Sequence, residues 1–369
     1  MLTGPDPATD ERPATADRLP LRRRLLPVLA LLLIAPWAAE CSWGGFAIDG
    51  FLPVVIGLAP MYGGAAILIR ETARRLGAGW PAIVLLAAAF GVLQAGLVDQ
   101  SLFNPGYLDD TQYADTRAAA EATLVPGLGF SLRQAFDYVG NHILLTICAP
   151  IVFVESFLGE QRRLRPWLGR PGLAVVAVVY LLGSLLIFSS PEGRKNFLAG
   201  PLQLTFAAVL VLALVAAALL PFWRHPRPRL TEPPSAGRTR RARRAPHPLW
   251  AAALIILARF GTDLTPGWAG VAIALALAAA VAAVIAYLSS RDGWGQRHVL
   301  AAGSASVVSA AAFAYLVPPY SAASPAAALA GDIAVSVVTV ALVGGAWWRL
   351  AAPRPTMLRA GRGPRSRPE

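Results

Sequence analysis

Lysine is almost missing from this chain: of 33 basic residues, all but Lys195 are arginine. Charge as a whole is scarce, at 15% of 369 residues, where soluble globular domains carry about 25%. That shortage excludes an ordinary water-soluble globule. The net charge of +12 could point to nucleic acid, but no aromatic residues interleave the basic runs, and no nucleic-acid partner is expected. Cysteine is as rare. Cys41 and Cys148 sit in or beside different apolar runs and read as unpaired thiols, making neither a disulfide framework nor a metal-ligand spacing. No phosphate loop, GxSxG elbow, HExxH or CxxC occurs, so neither a cofactor nor a metal is expected.

What the chain has in excess is apolar surface. Some 56% of residues are hydrophobic and the mean hydropathy is +0.53. Several runs approach or exceed the ~20 residues that cross a ~30 Å hydrocarbon core. The expected fold class is all-α: a polytopic transmembrane helix bundle of about ten spans. The first span follows Arg22–Arg24 in "LLPVLALLLIAPWAA". It is not read as a cleaved signal peptide, because no small-x-small site follows and Glu40 before Cys41 spoils a lipoprotein box. Further runs lie at about 51–69, 79–98, 138–158, 171–190, 203–223, 249–265, 267–288, 299–317 and 327–348. The seventh is the weakest, since Arg259 and Asp263 interrupt it.

Charge distribution supports that count. With the N-terminus in the cytoplasm, the inner segments hold 28 basic residues and the outer ones four, with Arg259 on neither side. This is the positive-inside bias of a plasma-membrane protein. Both termini are then cytoplasmic, and the arginine-for-lysine and alanine usage fits a GC-rich bacterial genome. The outer face carries eleven acidic residues against four basic, a rim that attracts cations or basic ligands. The ten Trp all fall near span ends, at headgroup level.

The chain divides into a disordered tail at 1–20, a six-span region at 21–223, a basic cytoplasmic linker at 224–248, a four-span region at 249–348 and a basic disordered tail at 349–369. In the linker, Arg240, Arg241, Arg243 and Arg244 are positioned to touch anionic lipid heads, at ~1 kcal/mol each. The one long outer loop, 99–137, ends in "SLRQAFDYVGNH", where Ser131 and Gln134 form a capping box. Span four is therefore expected to start above the membrane and run on to about Phe157.

Candidate chemistry gathers at the outer ends of spans three and four. Gln94, Asp99 and Asn104 lie in "QAGLVDQSLFN", and Asp137 and His142 begin span four. Ionisable groups at membrane depth are costly and so are functional candidates. His142 could serve as ligand, proton carrier or base. Arg259 and Asp263 have the i,i+4 spacing of an intramembrane charge pair. Glu71 and Arg75 have the same spacing, and Glu155 is expected to pair with an arginine of the 162–165 cluster or to snorkel.

The block "PMYGGAAILIRETARRLGAGWPAIVLLAAAFGVLQAGLVDQSLFNP" (60–105) with "NHILLTICAPIVFVES" (141–156) resembles an uncharacterised family of multi-spanning actinobacterial membrane proteins. That resemblance implies the membrane fold and no activity. A fainter similarity is to CAAX-type intramembrane proteases. Gln94-Ala95 stands where their glutamate pair would fall, Asp99 where the arginine would, and His142 is alone. Without the glutamates nothing activates a water.

Two functional expectations follow. The first is a permease-like or partner-binding membrane protein. The alternative is a membrane hydrolase or transferase with its site at Gln94, Asp99, Asn104, Asp137 and His142.

Overall fold

The computed structural model describes residues 21–224, 244–260 and 265–352. The described chain is helical, with isolated β-bridges and no strand. Eight helices among the described residues are long and apolar enough to cross a bilayer: Arg24–Cys41, Ile48–Arg75, Trp80–Val98, Leu132–Ser156, Arg170–Ser189, Pro201–Ala218, Gly267–Ser289 and Pro325–Ala351. The protein is a membrane-embedded helical bundle. Two of the ten expected spans fall short of that criterion. For the seventh, the described residues include the 12-residue apolar helix Leu249–Phe260. The ninth, Gln296–Ala314, has 19 residues but three serines, a histidine, an arginine and a glutamine dilute its hydropathy. The tails, most of the linker and Asp263 lie outside the described residues.

The first four membrane helices form the centre. Between 44% and 67% of their apolar windows is buried within the protein, against 11–17% for the other four. Those other four present Leu and Val outward, the surface a helix needs against lipid. Gln296–Ala314 behaves differently, with twelve of its nineteen residues buried. Gly303, Ser304, Ser306 and Ser309 keep it slender enough to fit inside, and Val152 of the fourth helix lies against Gly303. Small-residue interfaces are how membrane helices approach closely.

Each of the four central helices is broken by one π-helical turn: Trp37–Cys41, Ala59–Gly63, Gln94–Val98 and His142–Cys148. Three adjoin a proline, namely Pro36, Pro60 and Pro150. A proline has no N–H and its ring crowds the preceding turn, so the helix widens locally. Packing is tight at these turns. A Cβ on Gly63 would lie 2.3 Å from the Leu32 carbonyl oxygen, and one on Gly91 would lie 3.2 Å from His142 Cβ.

The long outer loop is folded. Leu102, Phe103 and Phe130 pack with Ala207 and Val211 of the sixth helix, and Phe130 stacks on Phe206 at 5.6 Å between ring centroids. As expected, the fourth helix starts on an Ser131 cap, whose Oγ accepts the Gln134 N–H at 3.2 Å and meets Thr123 Oγ1 at 2.9 Å. Ser131→Ala is expected to cost ~1 kcal/mol, read as a lower melting temperature in detergent. An unchanged melting temperature would show that the cap contributes nothing.

Candidate functional site

The stretch after the third helix is where the polar groups collect. Asp99, Gln100, Ser101 and Asn104 are all buried, so this segment does not simply emerge into water. Gln100 takes the left-handed conformation, with φ 57°, which is unusual for a residue with a Cβ. The conformation turns the chain back on itself. The Gln100 carbonyl then accepts the N–H groups of Phe103 and Asn104 at 3.0 and 3.1 Å, while its side-chain Oε1 accepts the Ala199 N–H at 2.8 Å.

This turn holds the Asp99 carboxylate under the third helix. Asp99 Oδ1 accepts the Ser101 N–H at 2.8 Å, and Oδ2 accepts from Gln94 Nε2 at 3.0 Å. Desolvation pushes the Asp99 carboxyl up to about 6, against the lowering effect of these hydrogen bonds. Gln94 is 1% exposed and opens the third π turn. Its Oε1 has no hydrogen-bond partner.

The other π turns deliver neighbouring groups. Tyr62, in the second, donates from its hydroxyl to Glu40 Oε1, in the first, at 2.8 Å. Glu40 and Asp99 lie within electrostatic reach of each other, and both reach Tyr62. His142 opens the fourth turn. Its Nδ1 meets Thr146 Oγ1 at 3.0 Å, and its ring lies 5.6 Å from Tyr62 and 5.4 Å from Phe90 between centroids. Each π turn thus contributes one polar side chain to a shared interior, the placement for which such turns are often kept.

Aromatic residues cover the cluster. Tyr320 packs edge-on to Trp43, Phe46 and Tyr113. Backbone bonds tie three loops together there: Tyr320 N–H to the Gly45 carbonyl at 2.9 Å and Gln112 N–H to the Tyr320 carbonyl at 3.0 Å. The Tyr113 hydroxyl donates to the Pro318 carbonyl at 2.6 Å. Desolvation, followed by nearby acidic and phenolic groups that include Asp99 and Glu40, pushes the Tyr107 and Tyr320 hydroxyls well above their ordinary value. Phenols held this way are neutral donors.

Of the expected site residues, Gln94 and Asp99 are hydrogen-bonded together. Asn104 closes its own turn, its Oδ1 accepting the Gly106 N–H at 3.0 Å. Asp137 accepts from Arg133 Nε at 3.0 Å. Arg259 lies in the helix Leu249–Phe260; its expected partner Asp263 lies outside the described residues, as do Arg240, Arg241 and Arg243. Arg244 is exposed, and its backbone forms an isolated β-bridge with that of Asp292. Among the described residues no group of three or more His, Cys, Asp or Glu is placed to hold a metal ion. Tyr62 was not among the expected site residues; Pro60, in the middle of an apolar run, was the available sign that this helix is interrupted.

At the arginine-rich end the charges are arranged differently. Glu155 pairs with Arg70 and Arg74 rather than with the 162–165 cluster. Arg74 grips it with two bonds, from Nε at 2.9 Å and Nη2 at 2.6 Å, and Arg70 Nε adds one at 3.1 Å. Arg70 also donates to Glu71 and to the carbonyls of Arg163 and Arg165, with the Trp167 ring 3.5 Å from its guanidinium carbon. The arginines of the 162–165 loop thus contribute backbone carbonyls to this network. Glu71 accepts the N–H groups of Trp167 and Leu168 and, as the spacing predicts, meets Arg75, at 3.5 Å. This network is nearly saturated with partners. It locks the second and fourth helices to the loop entering the fifth.

The chain matches no family model, no curated protein and no solved structure.

Proposed function

We propose that this chain is a permease-like protein of a bacterial cytoplasmic membrane, with ten crossings, both termini in the cytoplasm and its solute site at Glu40, Tyr62, Gln94, Asp99 and His142. The observation that carries the reading is the set of four π turns in four neighbouring helices, each supplying one polar side chain to one interior. Interrupted helices that meet at polar groups within the membrane are how transporters build binding sites. The nearly saturated arginine network at the other end holds the helices that carry the site, and the arginines of the basic linker supply charge for anionic lipid heads.

The hydrolase or transferase alternative draws less support. Asp137 is engaged by Arg133, Asn104 by its own turn and His142 by Thr146, which leaves no carboxylate paired with the histidine as a base would require.

The test is flux in proteoliposomes holding the full chain, with radiolabelled cationic, zwitterionic, neutral and anionic solutes. At least one is expected to enter saturably, and Glu40→Gln or Gln94→Ala to reduce its entry at least ~tenfold, equivalent to ~1.4 kcal/mol. If every solute enters at the rate of protein-free vesicles, the permease reading fails.

A further inference from the structure

We infer that the Glu40–Asp99 cluster is an exchange site at which a small alkali cation and a proton alternate. The inference rests on the permease reading and gives its solute a chemical class.

The first support is charge. Asp99 lies within electrostatic reach of Glu40, yet the hydrogen bonds of the two come from Tyr62, Gln94 and Ser101, none of which carries charge. Glu71 and Glu155 bond directly to guanidinium groups. This fold can supply arginine to an acid, and among the described residues it does not do so here. The groups facing the two carboxylates from other elements are phenols: Tyr62 from the second helix, Tyr107 from the loop after the third, Tyr138 from the fourth and Tyr320 from the loop before the last. Cys41 adjoins Glu40 in sequence, and His142 lies beyond Tyr62 against Phe90. None brings a fixed positive charge, so at least one mobile one is needed to keep both acids at membrane depth.

The second support is independent of the acids. Gln94 Oε1 has no partner although the residue is 1% exposed, and its own Nε2 is held by Asp99 at 3.0 Å. An orphan carbonyl oxygen beside a carboxylate lacks a donor or a cation. The donors available are two carboxylates, an amide oxygen and a phenol oxygen, a hard all-oxygen set that disfavours thiophilic and imidazole-seeking metals, and exchange against a single proton calls for a cation of single charge. The Asp99 carboxyl, at about 6, can trade its proton near neutral pH. In one exchange a cation enters as one carboxyl O–H proton leaves to water, and the charge of the site is unchanged.

The experiment uses proteoliposomes with an acidic lumen and a trapped fluorescent pH indicator. External NaCl or KCl is expected to speed alkalinisation of the lumen over protein-free vesicles. Glu40→Gln and Asp99→Asn are each expected to slow it at least ~tenfold. Because proton and cation compete, the half-saturating salt concentration should fall as external pH rises through about 6. Choline chloride should do nothing; an equal response to choline would assign the site to organic cations and overturn the inference. So would indifference to every salt, or full rates in both carboxylate variants. Saturable entry of some other solute without proton movement would overturn the exchange and leave the permease reading standing. Should the carboxylate variants not fold, Gln94→Ala decides: it keeps both acids and should raise the half-saturating concentration, and an unchanged value contradicts the site.

Discussion

Glu155→Ala is expected to lower stability by ~3–5 kcal/mol, the cost of stranding a buried charge by removing its partner. Two guanidiniums would be left behind. Arg70 is fully buried and Arg74 nearly so, and both depend on the same carboxylate. Arg70 would keep Glu71 and two backbone carbonyls; Arg74 would lose the one carboxylate it bonds among the described residues. Glu155→Ala should therefore reduce the folded yield in detergent and the melting temperature, and Arg74→Met in that background should recover part of the loss. Recovery identifies stranded charge as the cause. A Glu155→Ala protein as stable as the parent would mean that the network holds nothing together. The large penalty does not imply that the pair itself is strongly stabilising, because burying two ions costs nearly what their attraction returns.

The second large effect is expected at Gly63. A methyl group there would lie 2.3 Å from the Leu32 carbonyl oxygen and 2.6 Å from Leu32 Cα. Both are backbone atoms, so the first and second helices must separate. Overpacking typically costs ~1–3 kcal/mol and more where nothing can yield; Gly63→Ala should reach the top of that range. Gly57 is the matched control on the same helix, since nothing lies within 4 Å of its added Cβ. Gly57→Ala should be neutral or stabilise by up to ~1 kcal/mol through helix propensity. Equal melting temperatures for the two variants would contradict the close crossing. The same crossing positions the second π turn, so Gly63→Ala protein that does fold should transport poorly.

Much of the architecture was legible in the chain because it is written locally. Apolar length predicts the eight long helices, the Ser131 cap begins the fourth, and Glu71 and Arg75 meet at their i,i+4 spacing. What could not be read depends on which helices neighbour one another. Glu155 meets Arg70 and Arg74 across 85 and 81 positions, and a nearer arginine cluster competed for it in the sequence. Gln94 and Asp99 were recognisable as polar groups at a helix end. Their bond to each other depends on the Gln100 backbone, a left-handed residue that composition does not announce. Tyr62 was hidden for the same reason as the π turns: an extra residue in one turn changes which face of the helix later side chains share. Prolines 36, 60 and 150 mark three of the four turns after the fact. The third turn has no such mark.

Asp99 and Glu40 also differ from the other acids in a way that can be read chemically. Glu71 and Glu155 are bonded to guanidinium groups, whereas Asp99 has only neutral donors, and desolvation raises its carboxyl to about 6. Dicyclohexylcarbodiimide partitions into membranes and modifies protonated carboxyl groups there. The most direct measurement of the central claim is therefore peptide mass spectrometry after carbodiimide treatment of the full chain in liposomes, with and without NaCl. The account predicts adducts at Glu40 and Asp99 that NaCl suppresses and choline chloride does not, with Glu71 and Glu155 unmodified in both. Adducts confined to Glu71 or Glu155, or labelling of Glu40 and Asp99 that no salt changes, would contradict it.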